Sequence, residues 1–178
     1  MIRVILAATD GSDHAKKAVA LASEVAAKFK AKLVLLHVLL RDVRSDALRQ
    51  TAKRSSLTKS QREMLDNYEA EGMVALAEAG AYEGGYVPIP PPTELLKAIG
   101  DQLLNTAEAA AKKAGVKSVS KNIVSGDAAD AILGLAKHEK ADMIVLGTRG
   151  FGELKGFFLG SVSHKVSAQA GCACVTVK

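Results

Sequence analysis

The chain has 178 residues, 48% apolar and 24% charged, a balance that suits one globular domain and sets disorder aside as the default reading. Its formal net charge of +5 at pH 7 admits nucleic acid, a membrane surface or an anionic small ligand as partner. No run reaches the roughly 18 apolar residues that a membrane helix needs, and Met1–Asp10 lacks the basic leader and small-residue cleavage site of a signal peptide, so a cytoplasmic protein is expected.

In chain order, Ile2–Ala8 is a branched apolar run with the look of a strand buried on both faces. Ser12 is placed to cap the helix that follows, in which Ala15, Ala18, Val19, Ala22, Val25, Ala26 and Phe29 recur at helical spacing. Leu33–Leu40 reads as a second buried strand. From Arg41 to about Pro92 the chain turns polar, and a structureless loop of that length is unusual in a compact domain. One or two helices are therefore expected there, one carrying Met64, Leu65, Tyr68 and Leu76, followed by a proline-stiffened loop.

Regular alternation resumes at Thr93, which is placed to cap a helix running to Lys112 and Lys113, with Gly115 as its stop. Val116–Val124 reads as a third strand, Asp127 as the cap of a helix through Ile132, Leu135 and Ala136, and Met143–Leu146 as part of a fourth strand. A glycine-rich loop leads to a helix starting near Ser161, and Ala173–Val177 closes the chain as a fifth strand. Strands separated by helices imply a doubly wound, Rossmann-like α/β fold with a parallel sheet. No internal repeat is visible, so residues 1–178 read as a single domain with an insertion at about 41–92.

Some features read as structural. The basic group from Arg41 to Arg62 has no interleaved aromatic residues for base stacking and reads as a solvated face, so no nucleic-acid partner is expected, and without a membrane-length apolar run no membrane partner is expected either. Cys172 and Cys174 stand on the same face of a strand and read as small buried core residues, since two thiols do not close a zinc site. Of His14, His37, His138 and His164, none lies in a recognisable nucleophile motif, and no catalytic set emerges. His37 reads as a core histidine and His164 as a helix-face residue near the glycine-rich loop.

Ligands of open parallel sheets bind beyond the carboxyl ends of the strands. Three segments stand there. Thr9-Asp10-Gly11-Ser12 offers a carboxylate that suits a nucleoside hydroxyl or a metal, and also reads as an ordinary turn with a capped helix. Val124-Ser125-Gly126-Asp127 reads alone as a turn. The third, Gly147 to Ser163, holds five glycines besides Arg149, Lys155, Ser161 and Ser163, and ends at a helix N-terminus. Glycines let backbone approach a ligand, and free amides at a helix start favour an anion. These are the parts of a phosphate cradle, although a flexible loop before a capped helix reads the same way. The lysine and hydroxyl of a P-loop are absent, as is a Gly-x-Gly-x-x-Gly turn after the first strand.

Gly147, Gly150, Gly160 and Ser161 follow the spacing Gly, two residues, Gly, nine residues, Gly, Ser or Thr, and so resemble the nucleotide-binding branch of the universal stress protein family. Val4–Ser12, Leu35-Leu36-His37-Val38 and Leu159–Ser163 share in the resemblance, which covers about residues 1–40 and 93–178. It implies a five-stranded sheet of order 3-2-1-4-5, adenine near the backbone of Val38, and ribose near Asp10 and Gly126. Phosphates would lie along Gly150, Gly160, Ser161, Val162 and Ser163, with Thr9, Gly147 and Arg149 in the same site. ATP, ADP or AMP is the implied ligand, with Mg2+ or Mn2+ held mainly by the phosphates and no metal site made by the protein. A homodimer through the last strand and an unidentified protein partner complete the implication. The 41–92 stretch is longer than the family's usual connection, and Ala128 stands where a proline is common. The expected role is a stress-response regulator working through nucleotide-dependent conformation. The alternatives are a weak ATPase or nucleotidyl-type enzyme, and a nucleotide-free interaction module.

Overall fold

The computed structural model describes residues 1–39, 48, 52, 57–79 (75–79 by backbone alone), 90–150 and 160–178. In chain order they form β1 (Val4–Ala8), α1 (Asp13–Phe29), β2 (Lys32–Leu39), α2 (Lys59–Ala79), α3 (Thr93–Lys113), β3 (Val119–Ser125), α4 (Ala128–His138), β4 (Met143–Gly147), α5 (Ser161–Gln169) and β5 (Ala173–Val177). The five strands make one sheet of order β3-β2-β1-β4-β5, parallel at every pairing. The doubly wound class is the one expected from the alternation of strands and helices, and the strand order is the one the family resemblance implies. Ala7 pairs with Leu35 on one side and Val145 on the other, so β1 and β4 meet where the winding reverses.

The apolar strands supply both faces because successive side chains alternate. Ile5, Ala7, Leu33, Leu35 and Val145 point to one face, under the alanine stripe of α1 and Leu104, Ala107 and Ala111 of α3. Leu6, Val34, Leu36, Ile144 and Leu146 point to the other, under Ala129, Ile132 and Ala136 of α4 and Val166 of α5. Small residues on α1 let that helix lie close to the strands, whose Ile5, Leu33, Leu35 and Val145 are fully buried.

The insertion adds a third core. Leu48, Ala52 and Leu57 pack with Leu39 of β2 and Leu95, Leu96, Ile99 and Leu103 of α3, flanked by Met64, Leu65 and Tyr68 of α2. The helix expected from the periodicity of 60–79 is thus present and docked; the side chain of Leu76 and the proline-stiffened loop at 80–89 lie outside the described residues. Across the sheet, the Glu108 carboxylate of α3 joins Lys112 at 2.6 Å and Lys121 of β3 at 2.7 Å. Hydrogen bonds from these two ammonium groups hold its pKa down at about 2.

The caps read from the sequence are in place at two helices. The Ser12 hydroxyl accepts the Ala15 amide at 3.2 Å, and the Asp127 carboxylate accepts the Asp130 amide at 3.0 Å. Thr93 is a correction: it is the first helical residue, and Pro92 holds the cap position with φ −55° and ψ 133°. The Pro92 carbonyl accepts the Leu96 amide at 3.1 Å, so the cap lies one residue earlier than expected. Phe29 is a second correction, being 52% exposed rather than packed. It is the last residue of α1, and the chain turns at Lys30 directly toward β2. Cys172 and Cys174 are half-buried against the α4–α5 face rather than wholly enclosed, and burial pushes the Cys172 thiol up from its ordinary value.

Candidate functional site

The chain leaves β1 at Ala8 and turns through Thr9 and Asp10 into α1. Thr9 is buried, its amide donating to the Leu36 carbonyl at 2.9 Å. The Asp10 carboxylate accepts the Ser12 amide through Oδ1 at 2.9 Å, which fixes the turn and leaves Oδ2 directed at the segment after β4. There it touches the place a Cβ on Gly150 would occupy. Asp10 and the glycine-rich segment therefore face one crevice at the reversal point.

The base of that segment is stitched across its two ends by Thr148. The Thr148 carbonyl accepts the Gly160 amide at 2.8 Å and the Ser163 hydroxyl at 3.0 Å. Its amide donates to Val177 at 2.8 Å, and its hydroxyl shares a 2.9 Å hydrogen bond with Nδ1 of His14 in the first turn of α1. A Cβ on Gly160 would stand 3.0 Å from the Thr148 carbonyl oxygen, a tight contact that would press on this tie. Residues 151–159, with Lys155, lie outside the described residues.

α5 then starts at Ser161. Its first intrahelical bond runs from the His164 amide to the Gly160 carbonyl at 2.9 Å, so the amides of Ser161, Val162 and Ser163 precede that bond at the helix start. Ser161 is exposed and Val162 half-buried. The Ser163 hydroxyl is expected from the sequence as a donor to phosphate; it is 2% exposed and donates inward to Thr148 and Gly160, which leaves its amide as the group for an anion. Arg149 is half-buried, its carbonyl accepting the Ser12 hydroxyl at 3.4 Å.

Val38 and Gly126 stand to one side of this centre. Val38 pairs with Val124, two residues before Gly126, which turns the chain at φ 130° into α4. Gly126 is thus two strands from β1, about 10 Å across the sheet. Lys165 of α5 joins Asp130 at 2.7 Å and Asp127 at 3.2 Å, tying the start of α4 to the start of α5. Hydrogen bonds, first to Asp130 and then to Asp127, raise the Lys165 pKa. The sequence reading missed Lys165, Thr148 and His14 as positioning groups. Thr148 sits inside the glycine stretch and carried that signal; the other two become visible only through contacts across the fold.

His37 lies behind the site, 9% exposed, with Nδ1–H donating to the Thr9 carbonyl at 2.8 Å. Burial pushes the imidazole below its ordinary value, outweighing the Thr9 bond and the nearby Asp10 charge. A histidine depressed in the fold takes its proton less readily than in the unfolded chain, so its contribution to stability is present above about pH 6.5 and is lost as pH falls through the folded value. Denaturant titrations at pH 7.5 and 5.5 are expected to show lower stability at the acid end, with a smaller drop in His37→Gln. An equal drop in both proteins would remove His37 as its source.

The arrangement suits an elongated anion with a polar middle: backbone amides and glycine surfaces at one end, a carboxylate at the centre, a backbone edge at the other. Among the described residues no group of three or more His, Cys, Asp or Glu is placed to hold a metal ion, and no helix is long and apolar enough to cross a membrane.

The model of the universal stress protein family matches residues 1–178. A universal stress protein of Thermus aquaticus is 32% identical over 180 residues, covering 100% of both chains. A universal stress protein solved in complex with cAMP covers 99% of this chain and 96% of its own, with TM-score 0.60 and 23% identity. Another, from Archaeoglobus fulgidus in complex with dAMP, covers 100% and 98%, with TM-score 0.59 and 17% identity. At such identities the solved structures show a shared fold, and the family model and the Thermus relative, both spanning the full length, show shared descent. By fold, by the spacing of its crevice glycines and by these matches, this chain belongs to the universal stress protein family.

Proposed function

We propose that the chain binds an adenine nucleotide, ATP or its shorter forms, in the crevice between β1 and β4, and acts as a cytoplasmic stress-response regulator through that binding. One observation carries the reading: glycines stand where the backbone comes close to the Asp10 carboxylate (Gly150) and to the Thr148 carbonyl (Gly160), beside a helix start whose first amides have no partner among the described residues. Glycines leave such backbone open to a ligand's approach, and amides at a helix start favour an anion, the two parts a phosphate cradle needs. The cAMP and dAMP complexes of two proteins of the same fold support the ligand class.

In this reading the phosphates lie on the amides of Ser161, Val162 and Ser163 and along Gly150 and Gly160, with Gly147 below and Arg149 adding charge. Asp10, placed by Thr9 and the Ser12 amide, accepts a ribose hydroxyl, Gly126 bounds the ribose, and the Val38 backbone receives the adenine. A divalent ion, Mg2+ or Mn2+, rides on the phosphates, since hard cations take oxygen ligands. The β5 edge, with Val175-Thr176-Val177, pairs with a second copy, and the nucleotide-ordered surface is read by a protein partner.

Titration with ATP in a calorimeter tests the reading. The intact chain is expected to bind, and Asp10→Ala to bind about tenfold more weakly, the share of one hydrogen bond to a charged group. Equal affinity in the two proteins would contradict the placement of the ribose.

A further inference from the structure

In a parallel sheet all strands start, and the helices before them end, at one end of the molecule, opposite the crevice. Residues 1–3, 28–32, 112–118 and 137–142 meet at that end, carrying nine Lys or Arg against Glu139 and Asp142, a surplus of seven. The whole chain is only +5, so everything else is net negative by two. Backbone bonds join the segments into one surface: Lys32 amide to Arg3 carbonyl at 2.8 Å, Leu33 to Ser118 at 2.9 Å, and Asp142 to Val4 at 2.9 Å. Both acids are engaged, Glu139 by Lys32 at 2.6 Å and Asp142 by the amides of Arg3 and Val4 at 2.7 and 3.0 Å. Lys30, Lys117 and Lys140 are exposed and make no ion pair among the described residues.

Helix dipoles attract lysines to last turns, but two features exceed that pull. Lys30 (φ 55°) and Lys140 (φ 51°) are the two non-glycine residues with positive φ among the described residues. Both follow a helix, where glycine or asparagine fits and a Cβ is penalised. Lysine thus stands at two positions of positive φ at the same end, both exposed. In addition, Phe29 stands 52% exposed between Lys28 and Lys30.

We propose that this basic end docks on a bilayer surface rich in acidic phospholipid, with lysines over the headgroups and Phe29 inserted at the acyl boundary. Eight of the nine cations are lysines, hydrated point charges suited to diffuse attraction rather than to bidentate phosphate recognition. One aromatic side chain makes an interfacial anchor but not a ladder for successive bases, which favours a bilayer over nucleic acid. The sequence expectation of no membrane partner rested on the lack of a run long enough to span a bilayer, which does not bear on a surface that docks on one. The proposal stands independently of the nucleotide reading, and the crevice at the opposite end stays open on the docked protein.

The test is co-sedimentation of the full chain with vesicles of phosphatidylcholine alone or mixed equally with phosphatidylglycerol. Sedimentation with the mixed vesicles only, weakened by salt, is expected. The double variant Lys30→Gly, Lys140→Gly is expected to partition about 30-fold less, the share of two surface lysines, while its Tm stays level or rises as backbone strain is relieved. Phe29→Ala is expected to lower partitioning on the order of tenfold. Sedimentation with neither vesicle, equal sedimentation with both, unchanged partitioning of the double variant, or capture of a DNA duplex without vesicle binding would each overturn the proposal. A fall in the double variant's Tm would overturn the argument from strain.

Discussion

Gly160→Val is expected to weaken ATP binding at least about 100-fold, because two or more charge-assisted amide–phosphate bonds of about 1.5–3 kcal/mol each would be lost. A Cβ at that position already stands 3.0 Å from the Thr148 carbonyl and 3.6 Å from the Ser163 hydroxyl. The branched side chain would press on the Thr148 tie that sets the start of α5, and so shift the Ser161–Ser163 amides. Valine is also a poor residue before a helix, at a cost of about 1 kcal/mol, so the fold should survive with a modest fall in Tm. Calorimetric titration beside a thermal melt separates the two effects. A folded Gly160→Val protein with intact ATP affinity would remove the cradle from its assigned role.

A larger loss of stability is expected from Gly147→Val. Its Cβ would come within 2.8 Å of the His14 carbonyl carbon and 2.9 Å of the Ala15 amide nitrogen. Both are backbone at the start of α1, which has no soft side chain to yield. α1 would have to move off β4, pulling the His14–Thr148 bond and the Asp10 turn with it. Overpacking of this kind costs about 3 kcal/mol, which for a chain of this size lowers Tm by about 10 °C. Gly134→Ala is the control: nothing lies within 4 Å of a Cβ there, and alanine in mid-helix is expected to raise stability by about 0.5–1 kcal/mol. A Gly147→Val protein that melts with the wild type would show that α1 does not rest on β4 as closely as described.

Much of the fold was legible because its signals are local. Ser12 and Asp127 cap through bonds spanning three residues, and the runs around Leu35 and Val145 announce strands buried on two faces. The crevice was legible in part: the spacing of Gly147, Gly150 and Gly160 pointed to backbone contact, but its nearness to Asp10 depends on strand order, which local pattern does not carry. Other features needed the third dimension. Phe29 keeps the helical period but ends α1 exposed. Ser163 reads as a phosphate donor until the Thr148 carbonyl is brought to it. The basic end is assembled from short segments whose lysines look scattered along the chain and gather only because strand starts and helix ends share one side.

The most direct measurement for the central claim is a crystal structure of the chain grown with ATP and Mg2+. The triphosphate is expected against the Ser161, Val162 and Ser163 amides, with a ribose hydroxyl on Asp10 and the adenine beside Val38. A crevice holding no nucleotide at saturating ATP, or closed by the protein's own side chains, would contradict the claim.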